Sequence, residues 1–479
     1  MKNKIKLSIV TICKNNPFDV IKTSFSLRNI RRKSQVEWVV IDGSDNGRIK
    51  RLLSGISDEV NYINETDKGI YDAFNKGIYR SNGEYILFLN AGDTINENIF
   101  IEIIHEFNSE RIDMLFFGSK TYYKNIHFRN KSPRELRASF HSLPCSHQSM
   151  AIKKKLLNKY KFDCSLNIAG DLEIFFNIVR SENIKNLATK SIDKPIINFS
   201  IGGVSTKKPL ELLKEIFFIL RKYEKSKITI FLKTLRNLLG LVLGKYLPFF
   251  YFQTKDFIYK NLKNFIKNLS FYLFSKSFDN NKIVVASNGR AGSTMLFLEI
   301  QKSFIKENTY FSKIFLRFFK NKSYLEGPFG EFLVNLEDLN NATFPIIKTH
   351  SSPHENDKSC KYIFVYSDPL SSAISVYNRV LKEGIDFYLS HLKHLNSIGL
   401  FERIFYEDTL NYEKQLTRWK RQSDSNLLLI KLPEIWSRKN EIEDFLGFRI
   451  NLPAKREQSK LADDLKINSE LFNNLNDLY

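Results

Sequence analysis

The sequence contains little cysteine. Four cysteines are spread through 479 residues, at Cys13, Cys145, Cys164 and Cys360. No two of them form a C-x-x-C pair, which argues against a zinc ribbon and against a disulfide framework. This cysteine usage fits a protein of the reducing cytoplasm.

Long apolar runs are absent as well. The run in "MKNKIKLSIVTICKNN" is too short for a secretory signal and has no small-residue cleavage site, so we expect a strand there. The run "LRNLLGLVLGKYLPFFYF" is interrupted by Lys245 and Pro248, whereas a spanning helix needs about 20 apolar residues. The surrounding segment is therefore expected either to lie on a membrane or to form a helical linker packed on two domains.

Acidic residues are too few to balance the basic ones. The chain carries 73 Lys and Arg against 52 Asp and Glu, a net charge of +21. Residues 207–282 alone hold 16 basic and 5 acidic residues, a net charge of +11. Such an excess attracts nucleic acid, anionic lipid or anionic substrates. No helix-turn-helix, zinc-finger or RNA-platform pattern is present, so we expect an anionic membrane surface and no nucleic acid.

The order of apolar and amphipathic runs predicts two α/β domains. "KLSIVTIC", "VEWVVIDGS" and "GEYILFLNAGD" are typical of strands, and "GIYDAFNKGIY" of a helix. A second set of strand patterns, "NKIVVAS", "FPIIKTH", "KYIFVYSDP" and "NLLLIKLP", begins near residue 282. "PLELLKEIFFILRKYEK" lies between them with a helical stripe at Leu210, Leu213, Ile216, Phe217 and Leu220. We predict domains at 1–206 and 282–479, joined by a basic aromatic segment at 207–281.

Carboxylates follow the strands of the first domain. Asp42 and Asp45 come just after one strand pattern and Asp93 after another. A carboxylate there must be hydrated, paired or metal-bound, and its hard oxygen ligands favour Mg²⁺ or Mn²⁺ beside a diphosphate. Asp171 in "IAGDLEIF" is a candidate general base for a sugar hydroxyl.

Five segments of the first domain together resemble glycosyltransferase family 2. They are "LSIVTICKNN", "EWVVIDGSDN", "NETDKGIYDAFNKGIYRSNGEYILFLNAGD", "SHQSM" and "AGDLEIF". The resemblance covers residues 5–206, is greatest to the branch that assembles bacterial capsule, exopolysaccharide and O-antigen, and implies a GT-A fold with a Rossmann-like mixed sheet. It implies an inverting transfer from a nucleotide-sugar, expected to be a UDP-sugar. The implied roles are nucleotide-sugar binding by Thr11, Asn15, Asp42, Asp67 and Lys68, metal binding by Asp93, an acceptor site at His147 and Gln148, and catalysis by Asp171 as the base.

A glycine-rich turn opens the second domain. In "VVASNGRAGSTML" a strand pattern ends in glycines and hydroxyls before a helix pattern, an arrangement that suits phosphate or sulfate. The turn lacks the G-x-x-x-x-G-K-[ST] spacing of an NTPase loop. His350 ends a later strand pattern and is a candidate base for an alcohol. Lys348, two residues earlier, is expected on the same face of that strand.

The segments "GRAGST", "KTH" and "SDPLSSAISVYNR" resemble, in this order, the sulfotransferases that use 3′-phosphoadenosine-5′-phosphosulfate (PAPS). The likeness spans residues 282–450 and implies a P-loop-like α/β domain. The implied roles are PAPS binding by Arg290, Ala291, Gly292, Ser293, Thr294, Ser375 and Arg379, catalysis by Arg290 and His350, and acceptor contact by Lys348. Ser367 stands where that family usually has an arginine.

The two resemblances lead to the hypothesis of a bifunctional enzyme of bacterial surface polysaccharide synthesis. It would add a sugar and then a sulfuryl group to a saccharide or lipid-linked glycan, at the inner face of the cell membrane. The alternative is a glycosyltransferase whose second domain does not catalyse sulfation. The sequence does not predict the donor sugar, the acceptor, the linkage or the oligomeric state.

Overall fold

The computed structural model describes most of the predicted first domain and much of the second. The described residues are 5–108, 111–123, 126–136, 143–182, 184–200, 203, 207–223, 230, 234–235, 282–289, 292–308, 330–333, 336, 339, 342, 345–351, 360–422, 425–455 and 468–477. The chain divides into two compact units, Met1–Gln253 and Thr254–Tyr479.

The first unit is built on a mixed sheet. Its strands are β1 Leu7–Cys13, β2 Val36–Asp42, β3 Asn61–Asn64, β4 Tyr85–Phe88, β5 Thr94–Ile95, β6 Met114–Tyr123, β7 Ile126–Lys131, β8 Met150–Lys153 and β9 Thr189–Ser200. They lie in the order β3-β2-β1-β4-β8-β6-β9-β5, and β7 pairs with β6. The first four strands of this order are parallel, whereas β8 is antiparallel to both of its neighbours. The prediction of a mixed α/β sheet is confirmed.

Apolar sequence explains the position of β1 in the sheet. Six of its seven residues are buried, as expected for a parallel strand covered on both faces.

Six α-helices precede β9 in the described part of the first unit. In chain order they are α1 Pro17–Leu27, α2 Arg48–Ser54, α3 Ile70–Arg80, α4 Glu97–Ile103, α5 Lys154–Tyr160 and α6 Gly170–Ser181. Since β1, β2 and β4 are parallel, the loops after them come together at one edge of the sheet.

The helix α7, Pro209–Tyr223, belongs to the first unit. Ile216, Ile219 and Leu220 are buried in that unit's hydrophobic core. Two residues of the apolar stripe, Leu210 and Phe217, have side chains that are 73% and 45% exposed. Ile219, which is outside that stripe, is buried in the core. The rest of the predicted 207–281 segment lies outside the described residues, apart from a few isolated positions.

The second unit contains a parallel sheet. Its strands are β10 Lys282–Ser287, β11 Gly330–Leu333, β12 Ile346–Thr349, β13 Cys360–Tyr366 and β14 Leu427–Lys431. They lie in the order β11-β12-β10-β13-β14, and every neighbouring pair is parallel. The first strand of the unit, β10, is thus central, and the loop that follows it lies at the middle of the sheet edge.

Helices cover both faces of this sheet, which has one hydrophobic cluster on each side. They are α8 Ser293–Asn308, α9 Pro369–Glu383, α10 Ile385–His394, α11 Tyr412–Arg421, α12 Lys439–Leu446 and α13 Ser469–Asn476. Asp368 caps α9 by accepting the N–H of Ser371, and Pro369 is the first residue of the helix.

Within the part of the chain that the structure describes, no helix combines the length and the apolar composition needed to cross a bilayer.

Candidate active sites

A chain of hydrogen bonds joins three polar residues of the first unit. The imidazole of His147 lies between Asn90 and Asp171, with Nε2 at 3.2 Å from Asn90 Nδ2 and Nδ1 at 3.1 Å from Asp171 Oδ2. Asn90 follows β4, His147 precedes β8 and Asp171 is the second residue of α6. An amide N–H can donate to Nε2 only when that nitrogen carries no proton, so Nδ1 holds the proton and donates to Asp171.

Asp93 lies beside this chain and is held by Gln148. The Nε2 of Gln148 donates to Asp93 Oδ2 at 3.1 Å. Burial raises the pKa of Asp93 to about 7, and the nearby His147 and Gln148 oppose that rise. The carboxyl is therefore poised between its two protonation states near neutral pH, and binding of a cation would favour the ionised state.

The described residues test whether a divalent cation could be bound here. They hold no group of three or more His, Cys, Asp and Glu side chains able to bind a metal. Among them, however, Asn90 Oδ1 is a buried oxygen without a hydrogen-bond partner, and Asp93 supplies a carboxylate. These hard oxygens fit Mg²⁺ or Mn²⁺ if the diphosphate of a substrate completes the coordination.

Asp42 is buried at the carboxyl end of β2. Its Oδ1 accepts the N–H of Ser44 at 2.9 Å and its Oδ2 accepts the hydroxyl of Tyr62 at 2.7 Å. Burial and the neighbouring Asp42 raise the pKa of the Tyr62 hydroxyl, which therefore stays a donor. Ser44 also accepts the N–H of Asn15, which lies in the left-handed region at φ 56°. The structure thus brings the predicted Asn15 and Asp42 together, whereas Ser44 and Tyr62 were not predicted.

Thr11 differs from the other predicted nucleotide-binding residues. Its side chain is fully buried, and its hydroxyl accepts the indole N–H of Trp38 at 2.9 Å. The hydroxyl is therefore occupied inside the protein, and a role of Thr11 in nucleotide binding stays a prediction.

Asp67 and Lys68 form the turn before α3. Asp67 accepts the N–H of Gly69 at 3.1 Å, and the N–H of Lys68 is bonded to Asp72 at 3.0 Å. A Cβ at Gly43 would lie 1.9 Å from Asp67 Oδ2, so the Asp67 side chain closely approaches the loop after β2. The turn is thereby fixed next to Asp42, and the Lys68 side chain is exposed.

In the second unit, His350 contacts the turn after β10. Ser287 Oγ lies 3.0 Å from His350 Nδ1 and 2.7 Å from Ser293 Oγ. Lys348 Nζ lies 3.1 Å from His350 Nε2, so the predicted common face of Lys348 and His350 is confirmed. Burial, with the nearby charge of Lys348, holds the pKa of His350 well below its usual range, and His350 is thus neutral at pH 7.

Two histidines that the sequence reasoning missed lie beside His350. The ring of His350 is 5.8 Å from that of His391 and 6.3 Å from that of His394. Gly289 has φ 82°, and a Cβ there would lie 2.7 Å from His391 Nε2, so the glycine turn and α10 approach closely. The spacing His-x-x-His on a helix was the available signal, since it places both rings on one face.

Polar contacts within the unit occupy the start of α9. The hydroxyl of Ser367 is hydrogen-bonded to that of Ser372, and Asp368 occupies the helix N-terminus. Arg379 is paired with Glu383 at 2.6 Å and lies over the ring of Phe387. Roles of Ser375 and Arg379 in PAPS binding stay predictions.

The remaining predicted residues fall at the turn itself. Gly292 is described with φ 73°, Ser293 is buried and Thr294 is exposed at the start of α8. Arg290 and Ala291 lie outside the described residues.

Residues 8–175 match the family described as glycosyl transferase family 2. The N-terminal region is a glycosyltransferase family 2 domain. The match includes Asn90, Asp93, His147 and Asp171, which the structure brings together. The match ends before α7, and it gives a family for the first unit only.

Two curated relatives of the family 2 domain come from Mycobacterium tuberculosis. They are the uncharacterized glycosyltransferases MT1564 of strain CDC 1551 / Oshkosh and Rv1514c of strain ATCC 25618 / H37Rv. Each is 34% identical to this chain over 88 residues, which cover 18% of this chain and 34% of the relative. The chain thus spans about a third of the length of these relatives.

Solved structures similar to this chain include TarS and a mannosyltransferase. TarS residues 1–349 of S. aureus in complex with UDP-GlcNAc has a TM-score of 0.37 and 15% identity, over 50% of this chain and 73% of that one. The mannosyltransferase PcManGT from Pyrobaculum calidifontis, in complex with GDP-Man and Mn²⁺, has a TM-score of 0.35 and 13% identity, over 50% of this chain and 70% of that one.

Proposed function

We propose that the family 2 domain transfers a sugar from a nucleoside-diphosphate sugar to a glycan hydroxyl, with inversion, in the assembly of a bacterial surface polysaccharide. The observation that carries the proposal is the pairing of Asp171 with His147, next to Asp93. His147 is hydrogen-bonded to Asp171 and the adjacent Gln148 to Asp93, so two carboxylates suited to the acceptor side and the diphosphate side are held by neighbouring residues.

Asp171 acts as the base in this proposal. The acceptor hydroxyl gives its proton to Asp171 as its oxygen attacks the anomeric carbon, and the nucleoside diphosphate leaves from the opposite face. His147 donates to Asp171 Oδ2, and the N–H of Leu172 is bonded to Oδ1 at 2.8 Å. These two donors fix the carboxylate, and the remaining lone pairs can accept the proton.

Asp93 and Asn90 Oδ1 would bind a Mg²⁺ or Mn²⁺ ion. Such an ion supplies positive charge that neutralises the departing diphosphate. Asp42, Asn15 and the Asp67–Lys68 turn would hold the nucleotide-sugar, because they lie at the loops that follow β1, β2 and β3.

The test is release of nucleoside diphosphate by the purified full chain with UDP- and GDP-sugars, Mn²⁺ and a polysaccharide-derived acceptor. Asp171→Asn should lower kcat by at least about 100-fold, because an amide cannot accept the proton. Glu211→Gln, on the exposed surface of α7, is the matched control. Normal turnover by folded Asp171→Asn would refute the assignment of the base.

A second function is favoured by the contacts of His350. A neutral imidazole lies between a lysine ammonium and the serines of a glycine-rich turn, at the central strand of a parallel sheet. This arrangement suits transfer of an anionic group to an alcohol. We propose sulfuryl transfer from PAPS to a glycan, with His350 as the base and with Lys348 at the acceptor.

Calorimetric titration of the full chain with PAPS and with UDP tests the two units separately. Binding of PAPS that is lost in Ser293→Ala but kept in Ser437→Ala, which replaces an exposed serine of the same unit, supports the proposal. Release of a nucleoside diphosphate without PAPS binding would instead support a glycosyltransferase whose second unit is not a sulfotransferase.

The exposed face of α7 supports contact with an anionic membrane surface. Leu210, Phe217 and Phe218 are exposed large apolar side chains, and Lys214 and Arg221 are exposed on the same helix. Apolar side chains flanked by basic ones are typical of a helix that lies in the headgroup region. We therefore propose that the enzyme works at the inner face of the cell membrane, where lipid-linked glycans would be its acceptors.

A further inference from the structure

A single carboxylate on α7 binds the turn that precedes Asp171. Glu215 accepts hydrogen bonds from three consecutive backbone N–H groups, at 2.9 Å from Asn167, 3.0 Å from Ile168 and 2.7 Å from Ala169. Both oxygens of the carboxylate are used. Ala169 directly precedes α6, and Asp171 is two residues further on.

The start of α6 lacks a side-chain cap of its own. Ala169 stands at the cap position and has no side-chain acceptor. The first N–H groups of a helix have no partner within it, and a negative charge is favourable at this end. Glu215 supplies both an acceptor and a negative charge from another helix, 46 positions along the chain from Ala169.

Tyr71 packs against the start of α6. A Cβ at Gly170 would lie 2.7 Å from carbons of the Tyr71 ring. Gly170 thus contacts an aromatic ring directly after the turn that Glu215 binds. This close packing leaves the backbone that carries Asp171 little room to shift toward Tyr71.

A second contact ties α7 to α6 beyond Asp171. Glu173 is buried, and it accepts from Lys222 Nζ and from the hydroxyl of Tyr223, both at 2.7 Å. Ile216, Ile219 and Leu220 fill the core between these two polar contacts. The helix α7 therefore holds α6 on both sides of the base.

We propose that Glu215 is a positioning residue for sugar transfer. It fixes the 167–169 turn so that Asp171 stays paired with His147 and aimed at the acceptor hydroxyl. The inference rests on the proposed function of Asp171 and extends it to a helix outside the matched residues 8–175.

The kinetic test compares Glu215→Ala and Glu215→Gln with the control Glu211→Ala in the full chain. The probe is the nucleotide-sugar that supports diphosphate release by the wild type. Glu215→Ala should lower kcat by about 10- to 100-fold, because small displacements of a catalytic group are costly, while KM for the donor changes by less than about twofold. Glu215→Gln keeps one acceptor oxygen, so its kcat should lie between those of Glu215→Ala and the wild type. The kcat of Glu211→Ala should match that of the wild type. An unchanged kcat in folded Glu215→Ala would overturn the proposal.

A spectroscopic test does not depend on activity. In full chain labelled with ¹⁵N-histidine, the His147 signals, assigned from a His147→Gln spectrum, report its pairing with Asp171. They should shift in Glu215→Ala, and less in Glu215→Gln, which also serves if the alanine variant does not fold. Identical His147 signals in the variants and the wild type would refute the positioning role. If no nucleotide-sugar is turned over by the wild type while the His147 signals do shift, the proposed function fails and the positioning contact stands.

Discussion

Histidines 147 and 350 both lie in hydrogen-bonded chains, but their surroundings differ. His147 is partly exposed and hydrogen-bonds to an amide and a carboxylate, whereas His350 is buried beside a lysine. Burial and the ammonium of Lys348 disfavour the charged form of His350, whereas the ring of His147 is hydrogen-bonded to the carboxylate of Asp171. Under the proposed function, the first ring orients a base and the second acts as one.

The lowered pKa of His350 has a consequence for stability. Its folded-state pKa lies below the ordinary 6.5, so the unfolded chain binds the proton more tightly. The contribution of His350 to stability is full above pH 6.5 and is lost as the pH falls toward the folded-state pKa. Urea unfolding followed by tryptophan fluorescence should therefore show that the stability of the wild type relative to that of His350→Gln decreases as the pH falls below 6.5.

The exposed His105 is the control for this measurement, since its side chain is 70% accessible. His105→Gln should leave the pH dependence as in the wild type. Equal slopes below pH 6.5 for His350→Gln and the wild type would show that other groups, such as His394, whose pKa burial also lowers, dominate the acid response.

Among the elements, α7 combines an inner face packed on the first unit with an outer face open to solvent. Adjacent residues show the difference, since Ile219 is fully buried and Phe218 is 60% exposed. A buried isoleucine stabilises the folded state both because its side chain is removed from water and because it packs closely. An exposed side chain adds little to the free energy of unfolding.

We predict that Ile219→Ala lowers the free energy of unfolding by about 2–5 kcal/mol. Phe218→Ala should change it by less than about 0.5 kcal/mol, because the ring packs against little. Chemical denaturation of the two variants beside the wild type measures both values. Similar, small changes in the two variants would contradict the packing of α7 on the core of the first unit.

For the molecule as a whole, the net charge of +21 is the dominant electrostatic property. About half of it belongs to residues 207–282, a segment that begins with α7. Each basic residue near an anionic bilayer contributes about 1 kcal/mol to the free energy of membrane binding, and salt screens this attraction.

Cosedimentation with phosphatidylserine-containing vesicles should therefore be strong at low salt and weaker as salt is added. Replacing Phe217 and Phe218 by serine should reduce binding further, because apolar contact with the acyl region is lost. Leu381→Ser is the control, since that residue is equally exposed, at 60%, on α9. Binding that is unaffected by the double replacement would remove α7 from the membrane contact.

The sequence alone predicted the α/β class of both units, the helix at residues 209–223 and the carboxylates at the ends of strands. These features depend on local periodicity and on short motifs, which are readable without tertiary contacts. The approach of His350 to Lys348 was also predicted, because residues two apart on a strand point to the same face.

The tertiary structure decided the features that depend on residues far apart in the chain. Glu215 binds a turn 46 to 48 positions away, and His391 and His394 reach His350 from another helix. Which face of α7 is buried was decided by the core it meets, since its sequence places apolar residues on both sides. Pattern fixes local conformation, but partners at long range are chosen by packing and by the need to satisfy buried polar groups.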